Sequence, residues 1–201
     1  MKTRKWWWLS NMPHIHTNPG EHDTTVSAFV VRMQDDEPLC LVHMHRKHNV
    51  LMQAGGHVEL DETPWGALEH ELREETGYTL DEISVLQPTG MRLQLDEKVI
   101  THPVPLLVNT HPISNEHYHT DLSYAFIARS IPSALPGKDE SDDLRWLTIA
   151  ELHEYVGKNL VYGNVFKVYE AIVTYYLEAY DWLPATDFST HDPVTKKELI
   201  K

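Results

Sequence analysis

The sequence is poor in cysteine, in basic residues and in long apolar runs, and each shortage excludes a class of protein. Cys40 is the only cysteine among 201 residues, so an intrachain disulfide framework and a cysteine-based zinc site are excluded. No stretch approaches the roughly 20 apolar residues of a membrane helix. The apolar run at residues 6–9 is too short for a signal peptide, so we expect a cytoplasmic protein.

The charge balance is strongly acidic. Lys plus Arg number 17 against 30 for Asp plus Glu, which gives a formal net charge of −13. Such a chain repels nucleic acid and anionic membrane on average, so we expect neither as a partner. A small polyphosphate remains open as a ligand, provided that a metal cation screens the repulsion.

The order of predicted elements favours one α/β (or α+β) domain with helices packed on a mixed sheet. Gly77 suits a left-handed helix end, and Thr63 and Thr148 suit helix starts. Strands are predicted at residues 24–33, 39–45, 50–52, 83–86, 99–108 and 118–128, and helices at 63–77, 148–157 and from Asn164 onwards.

The segment Gly55 to Tyr78 carries the most informative pattern. Glu71, Glu74 and Glu75 are spaced i, i+3 and i+4, so they form one stripe of the predicted helix, beside an apolar sector that begins at Trp65. Like charges at this spacing destabilise a helix by roughly 0.2–0.5 kcal/mol per pair. A hard divalent cation such as Mg²⁺ or Mn²⁺ would offset that repulsion. Taken alone, three such glutamates also fit a solvated acidic face.

This segment resembles the signature of the Nudix hydrolases, G-x5-E-x7-R-E-U-x-E-E-x-G-U, where U is a bulky apolar residue. His70 stands where the family has arginine, and Ala54 stands where proline often precedes the two glycines. The resemblance implies a Nudix-type α/β/α sandwich with a mixed β-sheet between helices. The matching positions are Gly56, Glu62, Glu71, Leu72, Glu74, Glu75, Gly77 and Tyr78.

We expect three regions: an N-terminal arm at 1–20, which shows no clear periodicity; the Nudix hydrolase domain that the resemblance implies, at 21–160; and a C-terminal helix and tail at 161–201 packed on that domain. We expect the tail to begin after about Pro184. The arm and the last helix extend beyond a minimal domain, and they either cover the site or build a homodimer. The sequence leaves both open.

The implied activity is metal-dependent hydrolysis of the phosphoanhydride bond in a nucleoside diphosphate linked to another moiety. A small nucleotide or another diphosphate is the expected partner. The implied ligands of Mg²⁺ or Mn²⁺ are the carboxylates of Glu71, Glu74 and Glu75 and the carbonyl of Gly55. Glu71 or Glu74 is the expected base.

Two further carboxylates are catalytic candidates by the same resemblance. Glu62 would act in support within the loop and helix. Glu140 lies six residues before Trp146 and would come from a later loop, where Asp139, Asp142 and Asp143 compete with it.

Histidine is abundant, with 14 residues, and several lie close to other polar groups. His117, His119 and Asp121 alternate on one predicted strand, so they share a face. Such a set suits a transition metal or a polar pocket wall that binds substrate, and the lack of cysteine favours the wall. The predicted substrate-binding residues are His43, His45, Arg46, His57, His70, His117, His119 and Asp121.

Two other functions compete with hydrolysis. Unlike arginine, His70 is charged only when it is protonated, so one alternative is a catalytically weakened nucleotide-binding or regulatory module. If the protein does turn over substrate, we expect the hydrolysis to be weaker or more sensitive to pH. An isomerase of the isopentenyl-diphosphate type would need a catalytic cysteine, and Cys40 lies in an apolar run. The sequence does not identify the substrate.

Overall fold

The computed structural model describes residues 18, 20–90, 95, 96, 99–114, 117–188 and 190. The predicted N-terminal arm, apart from residues 18 and 20, and the predicted tail beyond residue 190 lie outside these ranges. Within the described ranges, no helix is both long and apolar enough to cross a bilayer.

Nine strands and four α-helices make up most of the described chain. The strands are β1 (Glu21–Gln34), β2 (Glu37–His45), β3 (Val50–Met52), β4 (Ala54–His57), β5 (Ile83–Pro88), β6 (Leu107–Ser114), β7 (His117–Ala128), β8 (Leu144–Leu147) and β9 (Tyr180–Pro184). The helices are α1 (Pro64–Thr76), α2 (Ile149–Gly157), α3 (Gly163–Ala171) and α4 (Leu177–Ala179), and a π-helical turn joins the last two.

The strands form a mixed sheet with β1 at its centre. The main order is β3-β2-β1-β7-β5-β9, while β4 pairs with β1, β6 with β7 and β8 with β2. The long β1–β7 pair is parallel and the other pairs are antiparallel. The predicted mixed sheet is therefore confirmed.

Two apolar cores lie on opposite faces of this sheet. Val26, Ala28 and Val30 of β1 belong to the core that α1 covers, whereas Phe29 and Val31 belong to the core with α2 and α3. This division follows from the alternation of side chains along a strand. The predicted α/β/α sandwich is confirmed.

The structure corrects two predicted element bounds. The strand expected at 99–108 is found at Leu107–Ser114, because Pro103 and Pro105 cannot donate to a ladder. The backbone of Val104 is instead held by the side chain of Gln87, whose Oε1 accepts its N–H at 2.8 Å. The helix expected to start at Asn164 begins at Gly163, with Tyr162 as a cap residue that makes no side-chain bond.

The chain on both sides of Pro184, after which we expect a tail, is part of the fold. Strand β9 pairs with β5, and Ala185 just beyond it is fully buried in the α1 core. The carbonyl of Phe188 accepts a bond from Trp65 Nε1 at 3.3 Å. Residues 180–188 therefore complete the sheet and its core.

Candidate active site

Helix α1 has the bounds that its sequence predicts. The Thr63 side chain accepts the N–H of Gly66, and Pro64 opens the helix. Gly77 ends it in the left-handed region at φ 79°, with its N–H bonded to the Arg73 carbonyl. A Cβ at Gly77 would lie 2.8 Å from the Ala134 carbonyl carbon, so glycine lets the 130–141 loop approach the end of the helix.

The three glutamates of α1 differ in exposure. Trp65 and Leu72 on the neighbouring stripe are fully buried against the sheet and fix the rotation of the helix. Glu75 is only 6% exposed, while the Glu74 side chain is 49% exposed. Glu71 lies between these limits. The stripe therefore runs from the core to the surface.

Strand β4 brings two glycines directly against these carboxylates. The N–H of Gly55 donates to Glu75 Oε2 at 2.7 Å. Gly56 lies under Glu71, and a Cβ there would be 2.5 Å from the Glu71 carboxyl carbon. The glycines thus allow Glu71 and Glu75 to approach the backbone of β4 closely.

Burial and crowding change the ionisation of the inner glutamates. Burial, opposed by His70 and reinforced by neighbouring carboxylates, raises the pKa of Glu71 to about 7. Burial also raises the pKa of Glu75 well above its usual range, reinforced by Glu71 although the Gly55 N–H opposes it. Without a cation nearby, both groups hold protons more tightly than free glutamate does.

His70 lies between two of the predicted site carboxylates. Its Nε2 is 2.9 Å from Glu74 Oε1, and its Nδ1 is 3.3 Å from Glu62 Oε1. Partial burial lowers the pKa of His70, but the bond to Glu74 and the nearby negative charges outweigh burial and raise it overall. His70 therefore contacts Glu62 and Glu74 from the position that arginine occupies in the Nudix signature.

The 130–141 loop brings Glu140 into the electrostatic reach of α1. The N–H of Gly137 donates to the Glu74 carbonyl at 2.7 Å, and the Glu140 N–H donates to Gly137. The charge of Glu140 contributes to the raised pKa of Glu71. The predicted neighbourhood of Glu140 and the helix glutamates is therefore present in the structure.

The Arg46 side chain contacts the backbone of this loop. Its guanidinium nitrogens Nη1 and Nη2 donate to the carbonyls of Asp139 and Glu140. Arg46, a predicted substrate-binding residue, therefore braces the loop that carries Glu140.

Two of the predicted substrate-binding histidines lie at the edge of the same face. His43 Nε2 is 3.5 Å from Glu75 Oε2, and His43 is buried. Burial, reinforced by His45, lowers the pKa of His43 to about 4, so it is neutral near pH 7. His45 packs against His48 with ring centroids 4.6 Å apart. Of these two β2 histidines, His43 is the one that lies beside a helix glutamate.

The remaining predicted residues lie on the other face of the sheet. Gly56 pairs with Val26, whose side chain is in the α1 core, whereas His57 pairs with Thr25 and points the opposite way. By the β1–β7 register, His117, His119 and Asp121 share the face of Thr25. The structure therefore does not bring these residues together with Glu71 and Glu75.

Asp121 is held by hydroxyl groups. Its Oδ1 accepts bonds from Thr25 and Ser27, both at 2.9 Å, and its Oδ2 accepts one from Ser123 at 2.6 Å. The carboxylate is buried and satisfied by these three donors. Instead, the histidines approach Asp23, which the sequence pattern did not single out because it lies almost 100 residues away.

Comparison with protein families decides what kind of domain this is. The family profile described as NUDIX domain matches residues 22–166. The chain belongs to the Nudix family. The Nudix match includes α1 with its glutamates, and it confirms the family and the class of enzyme predicted from the sequence, a Nudix pyrophosphohydrolase. No curated protein matches the sequence.

Solved structures share this Nudix fold at low sequence identity. A NUDIX-family hydrolase from Clostridium perfringens is 24% identical, with a TM-score of 0.55, over 73% of this chain and 92% of that one. A NUDIX hydrolase from Nitrosomonas europaea is 20% identical, with a TM-score of 0.51, over 86% and 99%. A C. elegans Ap4A hydrolase is 12% identical, with a TM-score of 0.52, over 75% and 97%. These likenesses concern the fold.

The α1 glutamates fit the divalent cation expected of a Nudix protein. Glu71 and Glu75 converge on β4, where glycine leaves the space that a side chain would fill. Burial is the main cause of their raised pKa values, and neighbouring carboxylates reinforce it, so a cation nearby would favour the ionised forms. Oxygen donors of this kind match the preference of Mg²⁺ and Mn²⁺.

The pH dependence of stability tests this electrostatic picture. A carboxyl whose pKa rises on folding binds protons more tightly in the native state, so its contribution to stability is lost as pH rises from about 4.5 to about 7. In chelator, Glu71→Gln should therefore gain stability relative to the unsubstituted protein across that range. Thermal unfolding at pH 4.5–8 measures the difference.

The matched control for this pH series is Glu154→Gln on the exposed face of α2. The melting temperature of Glu154→Gln should equal that of the unsubstituted protein at every pH. Adding Mg²⁺ or Mn²⁺ at pH 8 should raise the melting temperature of the unsubstituted protein more than that of Glu71→Gln. Parallel curves for Glu71→Gln and the unsubstituted protein would contradict the assignment.

Proposed function

We propose that this Nudix protein is a metal-dependent hydrolase of a nucleoside diphosphate linked to another moiety, in which water attacks phosphorus and a phosphoanhydride bond breaks. The observation that carries the proposal is the convergence of Glu71 and Glu75 on the Gly55–Gly56 backbone, with Glu74 exposed beside them. Glu71, Glu74 and Glu75, with the Gly55 carbonyl, would hold Mg²⁺ or Mn²⁺.

The residues of the site have separate roles in this proposal. When bound, the cation neutralises phosphate oxygens and activates water. Glu74 is exposed enough to meet a substrate and would accept the water proton, with Glu71 as the alternative base. Glu62 would hold His70, which in turn orients Glu74. Glu140, on the loop that Arg46 braces, is the runner-up base after Glu74 and Glu71.

The choice of substrate class rests on general chemistry. A net charge of −13 makes an uncompensated polyphosphate unfavourable, so binding of an anionic substrate should depend on the cation. Two predicted substrate-binding histidines lie beside the site carboxylates, His43 next to Glu75 and His70 next to Glu74. Arg46 would act on substrate only through the loop that it holds.

The alternative is a nucleotide-binding or regulatory module, and His70 is the observation that favours it. An imidazole donates fewer bonds than a guanidinium, so Glu74 is held less firmly than by arginine. The isomerase reading lacks support, because Cys40 is fully buried and burial raises the pKa of its thiol.

A substrate screen tests the proposal. The untagged protein is incubated with Mg²⁺ or Mn²⁺ at several pH values and with nucleoside di- and triphosphates, nucleotide sugars and dinucleotides, including Ap4A because of the C. elegans neighbour. We expect cation-dependent cleavage of at least one class, with oxygen from ¹⁸O-labelled water in a phosphate product. Nucleotide binding without turnover in any condition would favour the regulatory module.

A further inference from the structure

A second group of metal-ligating side chains lies outside the α1 site. Asp23, His57 and His119 each offer a ligand atom, and these atoms all lie within 4.8 Å of one another. They come from β1, β4 and β7, so long-range strand pairing brings them together. His117 adds a fourth group, with its Nε2 3.2 Å from Asp23 Oδ2.

We propose that Asp23, His57 and His119 form a second metal site, for a borderline transition-metal ion of the Zn²⁺ class, on the face of the sheet opposite the α1 glutamates. His117 would orient the Asp23 carboxylate. The site is independent of the proposed hydrolysis and would stabilise the junction of β1, β4 and β7.

The distances match those of ligands around one small ion. His57 Nε2 lies 3.2 Å from His119 Nε2 and 3.6 Å from Asp23 Oδ2. Metal bonds near 2.1 Å at tetrahedral angles place ligand atoms about 3.4 Å apart. The two pairs that include His57 therefore already have the spacing of ligands around one ion, and the Asp23–His119 pair lies within 4.8 Å.

The chemistry of the donors selects the class of ion. Two imidazoles and one carboxylate are common ligands of Zn²⁺, Co²⁺ and Ni²⁺, whereas Mg²⁺ prefers oxygen donors only. Asp23 is fully buried, so its carboxylate is shielded from solvent and held beside His57 and His117. His117 also contacts that carboxylate, and a group that contacts a metal ligand in this way commonly fixes the orientation of the ligand.

The alternation of side chains along β4 separates this group from the Nudix glutamates. The consecutive residues Gly56 and His57 point to opposite faces of the sheet, Gly56 toward Glu71 and His57 toward Asp23. A metal held by His57 and Asp23 is thus distinct from one held by Glu71. The competing explanation is a hydrogen-bonded polar cluster that binds no metal.

Spectroscopy with Co²⁺ tests the site while the glutamates are occupied. Untagged protein is stripped with chelator and titrated with Co²⁺ in excess Mg²⁺, which competes for the oxygen ligands of α1. We expect one equivalent of Co²⁺ to bind and to show the strong visible absorption of a low-coordinate Co²⁺ site. Zn²⁺ should then displace the bound Co²⁺. The Glu74→Gln variant should bind Co²⁺ equally well, which separates this proposal from the proposed hydrolysis.

Histidine variants identify the ligands. Binding should be lost in His57→Gln and His119→Gln, and it should weaken about 10- to 100-fold in His117→Gln. The matched control is His22→Gln, because His22 is the neighbour of Asp23 on β1 but is exposed on the opposite face and contacts Thr120. The proposal would be overturned if all variants bound Co²⁺ equally well, or if His22→Gln lost Co²⁺ binding to the same extent as the ligand variants.

A second measurement keeps the test decisive where a variant fails to fold. Circular dichroism and thermal unfolding in chelator establish whether each variant retains the fold. If the histidine variants lose it, X-ray absorption of the Zn²⁺-loaded unsubstituted protein decides. At least two imidazole ligands support the proposal, whereas no bound zinc or only oxygen ligands overturn it.

Discussion

Replacing Glu74 with glutamine is expected to abolish cation-dependent hydrolysis, with a loss of about 100- to 10,000-fold in kcat. The amide keeps the size of the side chain but can neither accept a proton at neutral pH nor supply the negative charge that a cation requires. Because Glu74 is half-exposed, the substitution should leave the melting temperature in chelator almost unchanged. Phosphate release under the best conditions of the substrate screen measures the effect.

The control for this substitution is again Glu154→Gln, which removes a glutamate from an exposed helix far along the chain. It should leave kcat unchanged. Glu71→Gln should also lose activity, and comparison of the pH profiles of the two variants identifies the base. A Glu74→Gln enzyme with more than about a tenth of normal kcat would exclude both roles assigned to Glu74.

Two neighbouring glycines should respond to alanine in different ways. At Gly56 the new methyl group would meet the end of the Glu71 side chain, which can move aside. The fold should persist, but Glu71 is displaced, and a shift of about 1 Å at such a site costs on the order of 100-fold in rate. Activity and thermal unfolding of Gly56→Ala are the measurements.

At Gly55 the same methyl group would meet the backbone of β1. It would lie 3.0 Å from Ser27 Cα and overlap the Val26 carbonyl, and φ is +153°. Gly55→Ala should therefore destabilise the protein by about 1–3 kcal/mol or more. Gly157→Ala is the control, since no atom lies within 4 Å of its added carbon. Equal effects of Gly55→Ala and Gly56→Ala on stability would contradict this distinction.

The bounds of α1 could be predicted because its signals are local. Thr63, Pro64 and Gly77 act within one turn of the helix ends, and the spacing of the glutamates fixes their common stripe. Strand β9 could not be predicted in the same way, because its five residues are partly exposed and depend on pairing with β5.

The two faces of the sheet explain why some predicted site residues do not lie together with the α1 glutamates. Alternation along β7 correctly grouped His117, His119 and Asp121, but no local pattern shows which core their face adjoins. That choice depends on the pairing of β1 with β4 and β7. The same pairing supplies Asp23, whose single carboxylate between His22 and Thr24 carries no motif.

The burial of Cys40 makes site-selective labelling of this protein straightforward. The only native thiol is inaccessible, so a cysteine introduced at Leu135, which is 88% exposed, would be the sole position to react with a maleimide fluorophore. Leu135 lies in the loop that also carries Glu140, between the contacts of Ala134 and Gly137 with α1. Emission from that probe would test whether the proposed cation or nucleotide changes the surroundings of the loop.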